Sequence, residues 1–123
     1  MTLIEAINRI DVLKPNTYSQ TEKVKWLSTI DGIIKKEIID THEGADKVTF
    51  DGYDENTNLS IELIVPAPYD DIYIRWLEAQ IDYANGEYAR YNNSLEAYND
   101  IYSAYNKHYN REHMPLGKKF KFF

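Results

Sequence analysis

DDIYIRWLEAQIDYANGEYARYNNSLEAYNDIYSAYNKHYN, residues 70–110, is the stretch whose reading decides the fold. Ile74, Leu77, Ile81, Ala84, Tyr88, Tyr91, Leu95, Tyr98, Tyr102, Tyr105 and Tyr109 recur at alternating spacings of three and four. That is a heptad seam held over about five heptads. Asp70 and Asp71 set negative charge on the positive end of the helix that starts there. An unbroken helix over this stretch would hold about 40 residues and span roughly 60 Å. Gly86 and Asn92-Asn93-Ser94 are the places where it can break, and Asn93 with Glu96 also reads as a helix start. Because the phase never slips, the pattern favours one long or gently bent helix over a hairpin. A second stripe of Ala97, Ile101 and Ala104 runs beside the tyrosines and widens the apolar band. Tyr98, Ile101, Tyr102 and Tyr105 are therefore candidate residues for subunit contact or core packing.

Working outward, Thr2 and Glu5 form a capping-box pattern ahead of Leu3, Ile4, Ile7, Ile10 and Leu13, a short first helix that Pro15 stops. Ser19 and Glu22 repeat the pattern and open a second helix. Its face carries Val24, Leu27, Ile30, Ile34 and Ile38, with Trp26 and Ile33 beside it. It should end between residues 40 and 44. The period then becomes two: Leu59, Ile61, Leu63 and Val65 alternate with mostly polar residues, as in a strand. Residues 48–53 are the expected partner strand and residues 54–58 carry turn chemistry. Pro66-Ala67-Pro68 is a stiff joint before the next helix. These elements predict a mainly α protein, a helical bundle with one long C-terminal helix and a small β-hairpin insertion at about 47–65. A single domain over residues 1–113 is followed by a flexible docking tail over 114–123. Three lysines and three phenylalanines fill the last six residues, and Lys119, Phe120, Lys121 and Phe122 are the candidate partner-docking residues.

Composition narrows the function. The 123 residues carry a formal charge of -6, which argues against a surface built to neutralise nucleic-acid phosphates. Cysteine is absent, so there is no disulfide framework, thiolate metal site or cysteine nucleophile. No basic, apolar leader opens the sequence and no run approaches the length of a membrane span. Eleven tyrosines supply ring surface whose hydroxyls favour a wet edge, suited to a thin fold or an interface.

Candidate chemistry is sparse. Asp51, Asp54 and Glu55 could gather a hard cation, but Asn56 stands where a calcium loop needs Gly. A solvated turn is the simpler reading. His42, His108 and His113 lack the i, i+4 spacing of a helical metal site. None of the five serines lies in a nucleophile elbow, and there is no Gly-rich phosphate loop. The expectation is no catalytic residue, no metal and no cofactor. Lys23, Lys25, Lys35 and Lys36 on the second helix give a rival reading as a DNA-binding regulator, although Glu22, Asp31, Glu37 and Asp40 offset them. A non-viral helical coiled-coil interaction protein is the other alternative.

Residues 63–73 (LIVPAPYDDIY), residues 76–94, and the run Tyr109-Asn110-Arg111-Glu112-His113-Met114-Pro115 resemble small proteins encoded beside the capsid genes of tailed phages and prophages. Residues 26–32 and 53–57 extend the likeness over most of the chain. The resemblance implies a head-to-tail connector, also called an adaptor or head-completion protein. Such a subunit forms a ring between the portal and the tail or stopper protein and extends the channel through which DNA leaves without specific binding. It implies assembly in the host cytoplasm and a place in the virion neck. Trp26 and Trp76 are expected as core anchors. The strand-like segment before residue 65 departs from the simplest all-helical connectors.

Overall fold

The computed structural model describes residues 1–116, and these form a helical bundle. Four α-helices follow one another: α1 (Leu3–Leu13), α2 (Gln20–Ile34), α3 (Asp71–Ala84) and α4 (Tyr88–Glu112). The last turn of α2 continues as a π turn, Lys35–Ile39. The capping box predicted at Thr2 and Glu5 is present, with both reciprocal bonds made, and Ser19 caps α2 by accepting from the Glu22 amide.

α3 is the central helix. At one end of the bundle, here the tip, Lys14 pairs with Asp82 and the Tyr18 hydroxyl donates to Asn85. At the other end, the base, Met1 lies beside Asp70. α1 and α3 therefore run parallel. The Trp76 indole donates to the Trp26 carbonyl at 2.8 Å and the Tyr73 hydroxyl to Asp31 at 2.6 Å, so α2 runs opposite to α3. Leu3, Ile10, Leu27, Ile30, Ile34, Ile38, Ile72, Leu77 and Ile81 are sealed between these helices. Each such side chain contributes roughly 1.5–3 kcal/mol by leaving water.

The heptad stretch is not one helix. It breaks at Gly86, whose φ of 75° is left-handed, and α4 folds back on α3. Tyr83 meets Tyr91 at 5.2 Å, Asp82 accepts from Ser94 at 2.9 Å, and Trp76 packs on Tyr98 at 5.1 Å. Rising numbers on α3 meet falling numbers on α4, so the two form an antiparallel hairpin. Ile74, Leu77 and Ile81 of the seam are thus buried in one core with Tyr98, Tyr105 and Tyr109 of the same seam, while Ala84 and Tyr88 lie exposed at the tip. A heptad pattern fixes which face is apolar but not what covers it. Glycine at the one position of this stretch that needs a positive φ lets the chain supply its own cover. Asn92-Asn93-Ser94, the other candidate break, is continuous helix.

The expected β-hairpin is absent among the described residues. Residues 40–70 instead form an irregular strap with one short 3-10 turn, Ala45–Lys47. The alternating segment is not a strand: Leu59 and Ser60 lie in a turn closed by the Ile61 amide on the Asn58 carbonyl at 3.1 Å, Ile64 and Val65 lie in a bend, and Leu63 and Val65 are buried while Ile61 is exposed. Its backbone partner is the start of α1, through a bridge between Thr2 and Glu62, and not residues 48–53. The Leu3 and Ile4 amides donate to the Ile61 and Leu59 carbonyls at 3.0 and 2.9 Å, and the Leu63 amide donates to Met1. A helix start leaves its first amides without intrahelical acceptors, and these carbonyls satisfy two of them. Residues 50–53 lie on α2, where the Ser28 hydroxyl accepts from the Tyr53 amide at 2.9 Å.

Asp31, completely buried, ties strap to bundle. Its Oδ1 accepts from the Tyr73 hydroxyl, and its Oδ2 accepts from the Tyr53 hydroxyl at 2.5 Å and the Ile64 amide at 3.2 Å. Tyr73 in turn accepts from the Val65 amide at 2.7 Å. Burial raises the Asp31 carboxyl above the usual carboxylate range, and the three donors offset this only in part.

Gly86→Ala is expected to lower stability by about 1–2 kcal/mol, because alanine is strained at this φ; in an unbroken helix the same change would raise stability by about 1 kcal/mol. The sign of the shift in a urea melt separates the two folds. Asp31→Asn sets an amide NH2 among donors and is expected to cost about 2–4 kcal/mol. Folded Asp31 takes up its proton more readily than unfolded Asp31. Its stabilising contribution is therefore full below the unfolded pKa of about 4 and is lost as pH rises through the higher folded value. The deficit of Asp31→Asn against the parent should be larger at about pH 4 than at about pH 7. A deficit that grows with pH would contradict this placement of the carboxylate.

Candidate functional site

α4 outruns its partner. Its 25 residues extend about 37 Å against about 21 Å for the 14 of α3, so its last turns project past the α3 start and need a second surface. The π turn provides it. The extra residue in this wide turn lets the adjacent side chains Ile38 and Ile39 both point inward, 0% and 1% exposed. It also delivers His42, 3% exposed, against α4.

The His42 ring is held at both nitrogens. Nδ1 lies within hydrogen-bond distance of the Ile38 carbonyl and the Thr41 hydroxyl, and Nε2 lies 2.5 Å from the Asn110 side-chain oxygen. Its edge meets the Tyr109 ring at 4.9 Å, and the other side of Tyr109 stacks on His113 at 3.9 Å. Nδ1 of His113 is buried with no hydrogen-bond partner among the described residues. Beside this stack the chain leaves α4 and pairs with the loop after the π turn: the Glu43 amide donates to Met114 at 2.9 Å and the Leu116 amide to Thr41 at 2.7 Å. The segment after α4 therefore starts out fixed to the base.

Of the predicted interface residues, Tyr98 and Tyr105 are 6% and 3% exposed within this chain, and Ile101 and Tyr102 are partly buried beside them. Rings run along this face: Trp76 on Tyr98, Tyr98 beside Tyr102, and Tyr69 against both Tyr105 and His108. Burial, with smaller effects of Tyr109 and Asp31, pushes the Tyr105 hydroxyl up to about 12. Tyr98 and Tyr102 are also raised, by burial first and then by the Glu37 carboxylate. Trp26 and Trp76 pack against the core as anchors, joined by the Trp76 bond to the Trp26 carbonyl. Lys119, Phe120, Lys121 and Phe122 lie outside the described residues.

Asp54 closes a local turn, its carboxylate accepting from the Asn56 amide and its carbonyl from the Thr57 amide. No three His, Asp or Glu side chains gather into a metal-sized cluster among the described residues. Two of the four α2-region lysines are engaged internally: Lys23 is buried on Asp11 at 2.6 Å, and Lys35 binds Asp40 and the Ala45 carbonyl. Lys25 and Lys36 remain exposed.

Sequence reasoning missed the π turn, because nothing in Lys-Lys-Glu-Ile-Ile announces it except two adjacent isoleucines. It also gave no sign that His42 is buried. His42 is buried because Asn110 meets it from 68 residues away, a pairing no local pattern carries.

His42→Ala is expected to cost about 2–4 kcal/mol through a lost ring and an unpaired Asn110. Hydrogen exchange at the Glu43 and Leu116 amides should accelerate more than at the Val65 amide, which the Asp31 network holds. Uniform acceleration at all three would mean His42 serves only global stability. No protein family, curated protein or solved structure matches the chain.

Proposed function

We propose that this chain is a structural subunit of a tailed phage or prophage, a head-to-tail connector that assembles as a ring between portal and tail and extends the DNA exit channel. The resemblance of residues 63–73, 76–94 and 109–115 to such proteins points in this direction. One structural observation supports it most. Among the described residues, the exposed large apolar side chains fall at the two ends of the bundle. Val12, Leu13, Tyr83 and Tyr88 lie at the tip, and Ile61, Met114 and Leu116 lie at the base. A subunit stacked between two neighbours needs a sticky surface at each end, and a protein that met one partner would need only one.

The segment after α4 is fixed at Thr41 and Glu43 at the base, and Lys119, Phe120, Lys121 and Phe122, which follow it in the sequence, are the proposed docking residues for the portal or the stopper. All twenty carboxylates lie within residues 1–116, so a ring of these bodies would repel passing DNA weakly and hold none of it. In this reading the protein gathers in the host cytoplasm during assembly, finishes in the virion neck and performs no catalysis.

Native mass spectrometry of the protein with the portal ring encoded beside it tests the reading. Uptake in a stoichiometry matching the portal's symmetry is the expected result. A stable small oligomer that ignores the portal would replace it with a non-viral helical interaction protein, and a gel shift on DNA at low salt would favour the regulator.

A further inference from the structure

Between the π turn and α4 lies an open groove of about 270 Å³, lined by Ile33, Glu37, Tyr98, Asn99 and Tyr102. Its two walls are i, i+4 pairs, Ile33 with Glu37 on one side and Tyr98 with Tyr102 on the other. The two tyrosine rings are tilted by 44° with centroids 6.0 Å apart. The Tyr102 hydroxyl donates to Glu37 Oε1 at 2.7 Å, which anchors the carboxylate over the groove and leaves Oε2 without a hydrogen-bond partner among the described residues. No ammonium or guanidinium of the described residues lies within ion-pair distance of Glu37. The other carboxylate beside the π turn, Asp40, is neutralised by Lys35. The negative field of Glu37 reaches both rings, since it contributes to holding the Tyr98 and Tyr102 hydroxyls above their ordinary range after burial.

We propose that this groove is a socket for a single basic side chain, lysine or arginine, presented by a protein partner. A carboxylate with an open oxygen meets the charge, and the partly exposed Tyr102 ring beside it meets the alkyl stem and the cation, an arrangement that favours cations over neutral groups of the same size. Ile33 adds an apolar contact to the lining and Asn99 a polar one. Charge complementarity selects the occupant: residues 1–116 hold eleven basic against twenty acidic residues, so a basic partner segment is drawn to this body from a distance. The socket rests on reading the chain as a protein-binding subunit, but it does not depend on the partner being a portal.

The test uses the full chain and the peptide acetyl-Gly-Lys-Phe-Lys-Gly-amide, with an analogue carrying norleucine at both lysines. Trp76 packs at a tilt against Tyr98, which lines the groove, so tryptophan fluorescence reports its occupancy. Saturable binding of the lysine peptide is expected, weakened at least tenfold by Glu37→Gln and by the norleucine exchange, and unchanged by Glu55→Gln, an exposed carboxylate on the strap. Glu37 is exposed, so the Gln variant should keep the parent's circular dichroism and melting point. Absence of saturable binding, or equal affinity for Glu37→Gln and the parent, overturns the socket. Portal uptake is a separate readout, so the ring reading stands or falls independently of this result.

Discussion

Asp31 sits fully buried on α2 with the Tyr53 and Tyr73 hydroxyls and the Ile64 amide aimed at its two oxygens. No cation among the described residues neutralises it, so its stability in the interior depends on donors supplied from elsewhere in the chain. Tyr73 comes from α3, and Tyr53 and Ile64 come from the two limbs of the strap. The demand of one carboxylate for hydrogen bonds thus sets the spacing of α2 and α3 and holds a long irregular connection against the bundle. Tyr73 extends the network by accepting from Val65, where the strap turns toward α3. A strap of this length without regular structure would otherwise be a weak part of the fold.

A second constraint acts on the other half of the chain. The α3–α4 seam is apolar enough to require cover, and a reversal at Gly86 provides it within the chain. Because α4 is the longer partner, its base end passes the start of α3 and meets the π turn, where His42, Tyr109 and His113 pack together. The two constraints meet at the π turn. It ends the helix that carries Asp31, buries Ile38 and Ile39 together, and holds one wall of the groove at Glu37.

This architecture separates roles along the bundle axis. The middle is a dense aliphatic and aromatic core. The two ends carry exposed apolar groups, and the flank between π turn and α4 carries an anchored carboxylate between rings. In the proposed ring, such a distribution would serve neighbours above, below and beside the subunit.

The sequence by itself determined the helical class, the caps at Thr2 and Ser19, the apolar faces of all four helices and the two places where the long seam could break. These are local properties: a capping oxygen reaches amides two or three residues on, and helical periodicity depends on near neighbours. The choice of break, the fate of residues 48–65 and the burial of His42 and Asp31 were decided only by the tertiary structure. Alternation at Leu59, Ile61, Leu63 and Val65 read as a strand, but a turn and a bend interrupt the segment, and its carbonyls serve a different row of free amides. The start of α1 offered such a row once the bundle had formed. Glu37 likewise looked like one more surface acid among lysines. Its pairing with Tyr102, 65 residues away, exists only because α4 folds back along α3 and crosses the end of α2.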